Sequence, residues 1–145
     1  MNWHIKAFTE LSRLELWQIY KSRIDVFVVE QNCAYSEIDE QDLHALHLFA
    51  EKDGALSAYC RIIAEDEAVK IGRVLVVPSC RNSGLGRVLV RQAFQAAKSR
   101  FPKYGIHIQA QLYLQRFYES LGFQAVSGDY LEDGIPHIDM VRHEV

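Results

Sequence analysis

The sequence predicts a single α/β domain on a mixed sheet. Three observations predict it. The apolar period switches repeatedly between two and three-to-four, which gives the order β, α, β-β-β, α, β, α, β-β. The 145 residues suit one domain, with no linker, repeat or low-complexity tract between the periodic segments. And the stretch "PSCRNSGLGRVLV", Pro78 to Val90, puts two glycines where an apolar strand hands over to an amphipathic helix.

Each element follows from local chemistry. In "NWHIKAF", Trp3, Ile5 and Ala7 alternate with His4, Lys6 and Phe8, a strand pattern. From about Leu11 to Glu30 the spacing changes. Trp17, Tyr20, Ile24, Phe27 and Val28 fall three or four apart or adjacent, as on one helix face. Trp3 and Trp17 read as core. "QNCAYSEIDEQD" is polar and acidic, a loop or a short broken helix. "HLFAEKDGALSAYCRII" reads as two strands around the hairpin dipeptide Asp53-Gly54. "EDEA" is a further turn, and "VKIGRVLVVP" is a β-branched strand apolar on both faces, central in the sheet. After Gly86, Leu85, Val88, Leu89, Ala93 and Ala96 mark one helix face, and Pro102 ends the helix. "GIHIQAQ" is a strand. "LYLQRFYESLG" is a short helix closed by Gly122. "FQAVSGDY" and "PHIDMVRHE" are the last strands, joined by a turn containing Asp133-Gly134.

Composition narrows the function. The net charge is −3 with both signs mixed along the chain, which argues against nucleic acid as a partner. No apolar run approaches the ~18 residues of a membrane helix, and the N-terminus has no signal-peptide pattern. Cys33, Cys60 and Cys80 are odd in number and match neither zinc nor CxxC spacing, as expected for an intracellular protein with free thiols. The expected location is the cytoplasm, with no membrane partner.

The glycines raise a chemical question. A helix N-terminus offers unpaired N–H groups and the positive end of the macrodipole. Without Cβ atoms at Gly84 and Gly86 the backbone can close on a bulky anion. Arg81, Arg87 and Arg91 add charge, and Ser83 adds a hydroxyl. A P-loop would need Lys and Ser/Thr after its last glycine, where Arg87 and Val88 stand. A dinucleotide fingerprint would need a third small residue, where Leu89 stands. The junction is a phosphate or pyrophosphate cradle, or the glycines simply permit a tight turn.

"VLVVPSCRNSGLGRVLV" followed by "YLQRFYESLGF" resembles the GNAT superfamily of N-acetyltransferases. The pyrophosphate signature stands as Arg81-Asn82-Ser83-Gly84-Leu85-Gly86, and the aromatic pair with Gly-Phe as Phe117-Tyr118-Glu119-Ser120-Leu121-Gly122-Phe123. "RIDVFVVEQNCAY", "IGRV" and "YLEDGIPHIDM" resemble the ElaA branch of that superfamily. The resemblance implies one GNAT-type domain over residues 1–145, its sheet splayed at a cofactor cleft and flanked by helices.

It also implies acetyl-CoA as co-substrate. Backbone N–H groups of Asn82, Ser83, Gly84, Leu85, Gly86 and Arg87 would hold the pyrophosphate, with Arg81 at the head of the motif. The backbone of Val74, Leu75 and Val76 would pair with the pantetheine arm like an added strand. Gln111 stands where the family often has Asn near the pantetheine. Tyr118 occupies the family's general-acid position; the other reading is a core tyrosine. The acceptor would be an amine of a small molecule or peptide, and family members often dimerise through their terminal strands.

The amine must lose a proton before attack. Glu30, Glu37 and Asp39 lie in or beside the acidic loop, and Glu37 and His47 are the candidate bases. His44 and His47 are three apart but no third ligand keeps a fixed spacing, so no metal is expected. At a strand position His47 reads more readily as a satisfied strand histidine than as a base. Arg61 and Arg73 would meet an acidic group on the acceptor or form ordinary ion pairs. Pro136 and His137 either wall the acceptor pocket or set strand register. The leading expectation is an N-acetyltransferase. A non-catalytic acyl-CoA sensor, a transferase of another acyl group, and a domain for another phosphate ligand are the alternatives.

Overall fold

The computed structural model describes residues 1–143. Strand β1 (Asn2–Ala7) leads to helix α1 (Arg13–Arg23). Ser12 caps that helix by accepting from the Glu15 N–H, and Glu15 returns the bond to the Ser12 N–H. The chain then continues as a π-helix over Ile24–Glu30, which the sequence reading takes as ordinary helix. The buried stripe of the helix runs through Ile19, Arg23 and Val26. Trp17 is two residues from Ile19, about 200° around the axis, and is 60% exposed rather than core.

Strands β2 (Leu46–Lys52) and β3 (Ala55–Glu65) form the expected hairpin, with Asp53 and Gly54 both at positive φ. Strand β4 is Ala68–Val76, helix α2 is Leu85–Arg100, strand β5 is Gly105–Gln111 and the short helix α3 is Gln115–Glu119. The segment expected as one strand from Phe123 to Tyr130 is divided. Strands β6 (Gln124–Ala125) and β7 (Tyr130–Glu132) both pair with β8 (Ile135–Arg142), β6 at its end and β7 at its beginning. Between them the Ser127 hydroxyl accepts from the Asp139 N–H, in place of a backbone carbonyl. The expected end of the last strand, Glu144, lies outside the described residues.

Among the described residues the eight-stranded sheet runs β1-β2-β3-β4-β5-β8-β6, with β7 also on β8. All pairs are antiparallel except β4–β5. One face carries α2: Leu89, Val90, Ala93, Phe94 and Ala97 pack on Cys60, Ile62, Val69, Ile71, Ile106, Ile108 and Met140. The other face carries α1, whose Ile19 and the π-helical Val26 meet Phe49, Tyr59 and Leu75. No β5 or β8 residue belongs to that second cluster, so the α1 face is bare beyond β4. No helix among the described residues is long and apolar enough to cross a membrane.

Two irregularities in β4 shape the centre. Tyr59 pairs with Leu75 but Arg61 pairs with Gly72, so β4 holds one residue more than β3 over this interval. Arg73 takes up the excess at φ 54°. The bulge reverses the side-chain alternation: Ile71 faces the α2 core, whereas Leu75 faces α1. Parallel pairing to β5 covers only Ala68–Lys70 against Gly105–His107. Beyond it the two strands part.

Candidate active site

The parting of β4 and β5 opens a cleft of about 880 Å³. Its walls are the π-helix, β4 from Lys70 to Val76, the loop into α2, β5 from His107 to Gln111, and the β7–β8 turn. Beyond Lys70 the β5-facing backbone of β4 has no strand partner among the described residues. The Val76 carbonyl accepts from Arg81 Nε at 2.9 Å. Val74, Leu75 and Val76 all line the gap, as an added strand would require.

At one end of the cleft sits the α2 N-terminus. Asn82 at φ 61° and Gly84 at φ 81° turn the loop sharply, and Gly84 caps the helix. Val88 is the first α2 residue to bond back, to the Gly84 carbonyl. The N–H groups of Leu85, Gly86 and Arg87 precede that bond and have no intrahelical acceptor. Asn82, Gly84, Leu85 and Gly86 line the cleft. The side chains around them are more engaged than the sequence suggests. The Ser83 hydroxyl donates to the Cys80 carbonyl at 2.6 Å and tightens the turn. Arg87 leans on α3, with Nη2 donating to Ser120 Oγ at 3.1 Å and its guanidinium over the Phe117 ring. Arg91 lines a separate pocket by Phe94 and Phe101 and adds no charge to the cradle. Arg81 lines the cleft but forms a bidentate pair with Glu30 at 2.6 and 2.8 Å, tying the loop to the π-helix.

Tyr118 stands at the middle of the cleft wall and is 3% exposed. Its ring packs edge-on against Phe117 and Phe123. Burial, then the proximity of Cys60 and Tyr113, push its phenol well above the ordinary value. Among the described residues no hydrogen bond claims its hydroxyl, although the molecule leaves no buried polar side-chain atom unpaired; the hydroxyl therefore reaches the cleft. Across the gap, Gln111 and Gln31 exchange amide hydrogen bonds at 3.2 and 3.3 Å.

Neither candidate base is placed to take a proton from an acceptor. The Glu37 side chain is sealed from solvent, with Oε2 accepting from Arg23 Nε and Arg73 Nε at 2.7 Å each, and Oε1 accepting from the Tyr35 hydroxyl. Two arginines and a phenol occupy both of its carboxyl oxygens. His47 is fully buried: Nδ1 meets the Tyr59 hydroxyl at 2.7 Å and Nε2 the Asp42 carbonyl at 2.9 Å. The carbonyl only accepts, so Nε2 carries the hydrogen and Nδ1 accepts from Tyr59. Burial, outweighing the Asp42 contact, pulls its pKa below the ordinary value and keeps the ring neutral. Both are absent from the cleft lining.

Arg61 and Arg73 form ion pairs within the chain. Arg61 bonds Asp39 and Asp42 at 2.7 to 3.1 Å, and Arg23 bonds Asp42 at 2.7 Å. Three arginines and three carboxylates thus neutralise one another beneath the bulge. Glu37, Asp39 and Asp42 are signalled in sequence only as acidic loop residues, and their arginine partners lie 14 to 36 positions away. No group of three or more metal-ligating side chains occurs among the described residues. His137 lines the cleft from within β8, where it pairs with both Gln111 and Tyr130, so the two readings of it as pocket wall and as register residue are compatible.

The chain is similar to known proteins in both sequence and fold. Residues 15–143 match the family model "Acetyltransferase (GNAT) domain". A UPF0039 protein of Schizosaccharomyces pombe is 46% identical over 138 residues, covering 93% of this chain and 92% of that one. The crystal structure of Escherichia coli ElaA superposes with a TM-score of 0.95 at 39% identity, over 99% of this chain and 100% of that one. That of an acyl-CoA N-acyltransferase from Pseudomonas aeruginosa superposes at 0.93 and 41% identity, over 98% and 99%. The parted strands, the glycine turn at the α2 N-terminus and these matches agree: the chain belongs to the GNAT acetyltransferase family.

Proposed function

We propose that this protein transfers an acetyl group from acetyl-CoA to a primary amine by direct attack on the thioester. The observation that carries the reading is the continuity of the cleft. It joins an anion-ready helix N-terminus, an unpaired stretch of β4 backbone and the Tyr118 hydroxyl in one 880 Å³ space. Those three parts match the three parts of the co-substrate: pyrophosphate, the amide-bearing pantetheine arm and the thioester. Asn82, Gly84, Leu85, Gly86 and Arg87 would receive the pyrophosphate through backbone N–H groups. Val74, Leu75 and Val76 would pair with the pantetheine amides, and an N–H of this stretch would polarise the thioester carbonyl. Gln111 would release Gln31 to admit the arm.

Attack forms the C–N bond and breaks the C–S bond. The departing sulfur takes a proton from Tyr118 Oη. Burial keeps the phenol protonated until that moment, and the same dry surroundings raise the proton affinity of the thiolate beside it. The acetyl-CoA assignment is supported by the family and by the P. aeruginosa acyl-CoA N-acyltransferase. Calorimetric titration with acetyl-CoA, CoA and ADP tests it. Acetyl-CoA and CoA should bind well above ADP, because only they carry the arm that β4 would pair with. Equal binding of all three, or none in a folded sample, would remove the pantetheine groove and the reading with it.

A further inference from the structure

We infer that His137 Nε2 is the group that takes the proton from the incoming amine, an assignment that rests on the transferase reading above. His137 stands opposite Gln111 in the β5–β8 ladder, at the end of β5 where β4 has already parted from it. It lines the same cleft as Tyr118. The other cleft-lining imidazole, His107, pairs with Lys70 where β4 and β5 are still joined.

The ring is oriented for the task. His137 Nδ1 lies 2.7 Å from the Ile135 carbonyl. A carbonyl can only accept, so Nδ1 carries the hydrogen and the neutral ring keeps its lone pair on Nε2. Among the described residues no donor lies within hydrogen-bond distance of Nε2, and the nearest charge is Glu132 Oε2 at 3.9 Å. That carboxylate would stabilise the imidazolium once formed. The ring is fixed in plane by Tyr130, stacked 6.1 Å away. Its side chain is 12% exposed, so it meets the cleft without lying open to bulk water.

Three of the neighbouring carboxylates are engaged elsewhere, while Glu132 and Asp133 stand at the β7–β8 turn and line the same cleft. Glu30 is held by Arg81, Glu37 by Arg23 and Arg73, and Asp139 accepts from the Tyr130 hydroxyl at 2.5 Å. The titratable and charged groups around His137 are Tyr130 and Glu132 on β7, Asp133 in the turn, Asp139 on its own strand, His107 further down β5 and Cys33 after the π-helix.

The protons balance. An ammonium acceptor gives one proton to His137 Nε2, and its freed lone pair attacks the thioester carbonyl carbon. The tetrahedral adduct expels sulfur, which takes the Tyr118 proton. The second proton of the former ammonium leaves the new amide nitrogen and restores the Tyr118 phenol. The His137 proton passes to water, leaving one amide, one thiol and one released proton.

The test compares ethylamine, an ammonium ion at pH 7, with trifluoroethylamine, whose fluorines leave it mostly neutral. His137→Asn keeps an N–H donor for the Ile135 carbonyl and removes Nε2. We expect kcat/KM for ethylamine to fall about a hundredfold and that for trifluoroethylamine to fall far less. The wild-type acidic limb of kcat/KM for ethylamine should shift or vanish in the variant. His137→Gln is the second variant, and acetyl-CoA affinity by calorimetry confirms that each is folded. Equal losses for both amines, or an unaltered acidic limb, would overturn the assignment. If wild-type protein binds acetyl-CoA yet acetylates neither amine, nor any other in a screen, the transferase reading falls and takes His137 with it.

Discussion

At the scale of the residue, the decisive contrast is between side chains that are engaged and side chains that are free to act. Among the described residues the Tyr118 hydroxyl has no hydrogen-bond partner to lose. Tyr118→Phe should therefore fold normally, bind CoA as the wild type does and lose turnover by about a hundredfold. Steady-state kinetics beside calorimetry would show this, and undiminished kcat would remove the acid. Gly84 poses a different test. It sits at φ 81°, and a Cβ added there would meet no heavy atom within 4 Å. Asp tolerates that left-handed region better than most residues, though still with some backbone strain. Gly84→Asp should lower the thermal midpoint by a few degrees but stay folded, and should bind CoA at least about tenfold more weakly, since charge at a helix terminus is worth up to ~2 kcal/mol. Unchanged affinity would show that no phosphate sits there. The glycine was legible because its conformational freedom is local. The engagement of Glu37 and His47 was not, because it depends on Arg73, 36 positions from Glu37, and on Tyr59 across a strand pair.

At the scale of the element, the buried charges tie α1, the following loop, β3 and β4 together under the bulge. Their titration makes a signed prediction. Burial alone would raise the Asp42 pKa, but hydrogen bonds and charge from Arg23 and Arg61 outweigh it and hold it below its ordinary 3.8. His47 is held below its ordinary 6.5 by burial. For both groups the folded value is depressed. Their stabilisation is complete above the unfolded value and is lost as pH falls through the folded one. Urea midpoints should therefore decline in two stages, first below about pH 6.5 from His47 and again below about pH 3.8 from Asp42. Asp42→Asn leaves Arg23 and Arg61 undercompensated. It should cost about 3–5 kcal/mol near neutrality and flatten the second stage. A second stage as steep as the wild type's would mean that other carboxylates govern it. The elements themselves were largely legible from apolar spacing, down to the Asp53-Gly54 hairpin. The π-helical run and the divided β6–β7 segment were not. The π-helical run has only 7 residues, too few turns for apolar spacing to separate its i→i+5 winding from an α-helix, and the gap at Ser127 is bridged by a side chain that period counting ignores.

At the scale of the whole molecule, the sheet is one body at Ala68–Lys70 and two arms beyond it. One arm, β1 to β4, is held by α1. The other, β5 with β8 and its short partners, lacks α1 cover. On the α2 face one core joins the two arms; on the opposite face the links among the described residues include the Gln31–Gln111 amides and the Cys33 thiol donating to the Asp133 carbonyl at 3.4 Å. A co-substrate laid along β4 would supply the missing contacts and join the arms. Two consequences can be measured together. At a ligand concentration of 100 Kd, linkage adds about 2.7 kcal/mol of stability, which is roughly 5–10 °C in Tm for a domain of this size. That rise alone would follow from binding anywhere. Amide exchange gives the location. With acetyl-CoA present, exchange should slow at Ile71–Val76, whose β5-facing groups lack a strand partner, and at Leu85–Arg87, whose N–H groups lack intrahelical acceptors. The β1–β2 ladder, already paired along its length, should exchange as before except through the global rise in stability. Protection confined to Leu85–Arg87 would mean that the phosphates bind while the arm lies elsewhere. Protection at both, absent with ADP, would mean that the ligand completes the sheet.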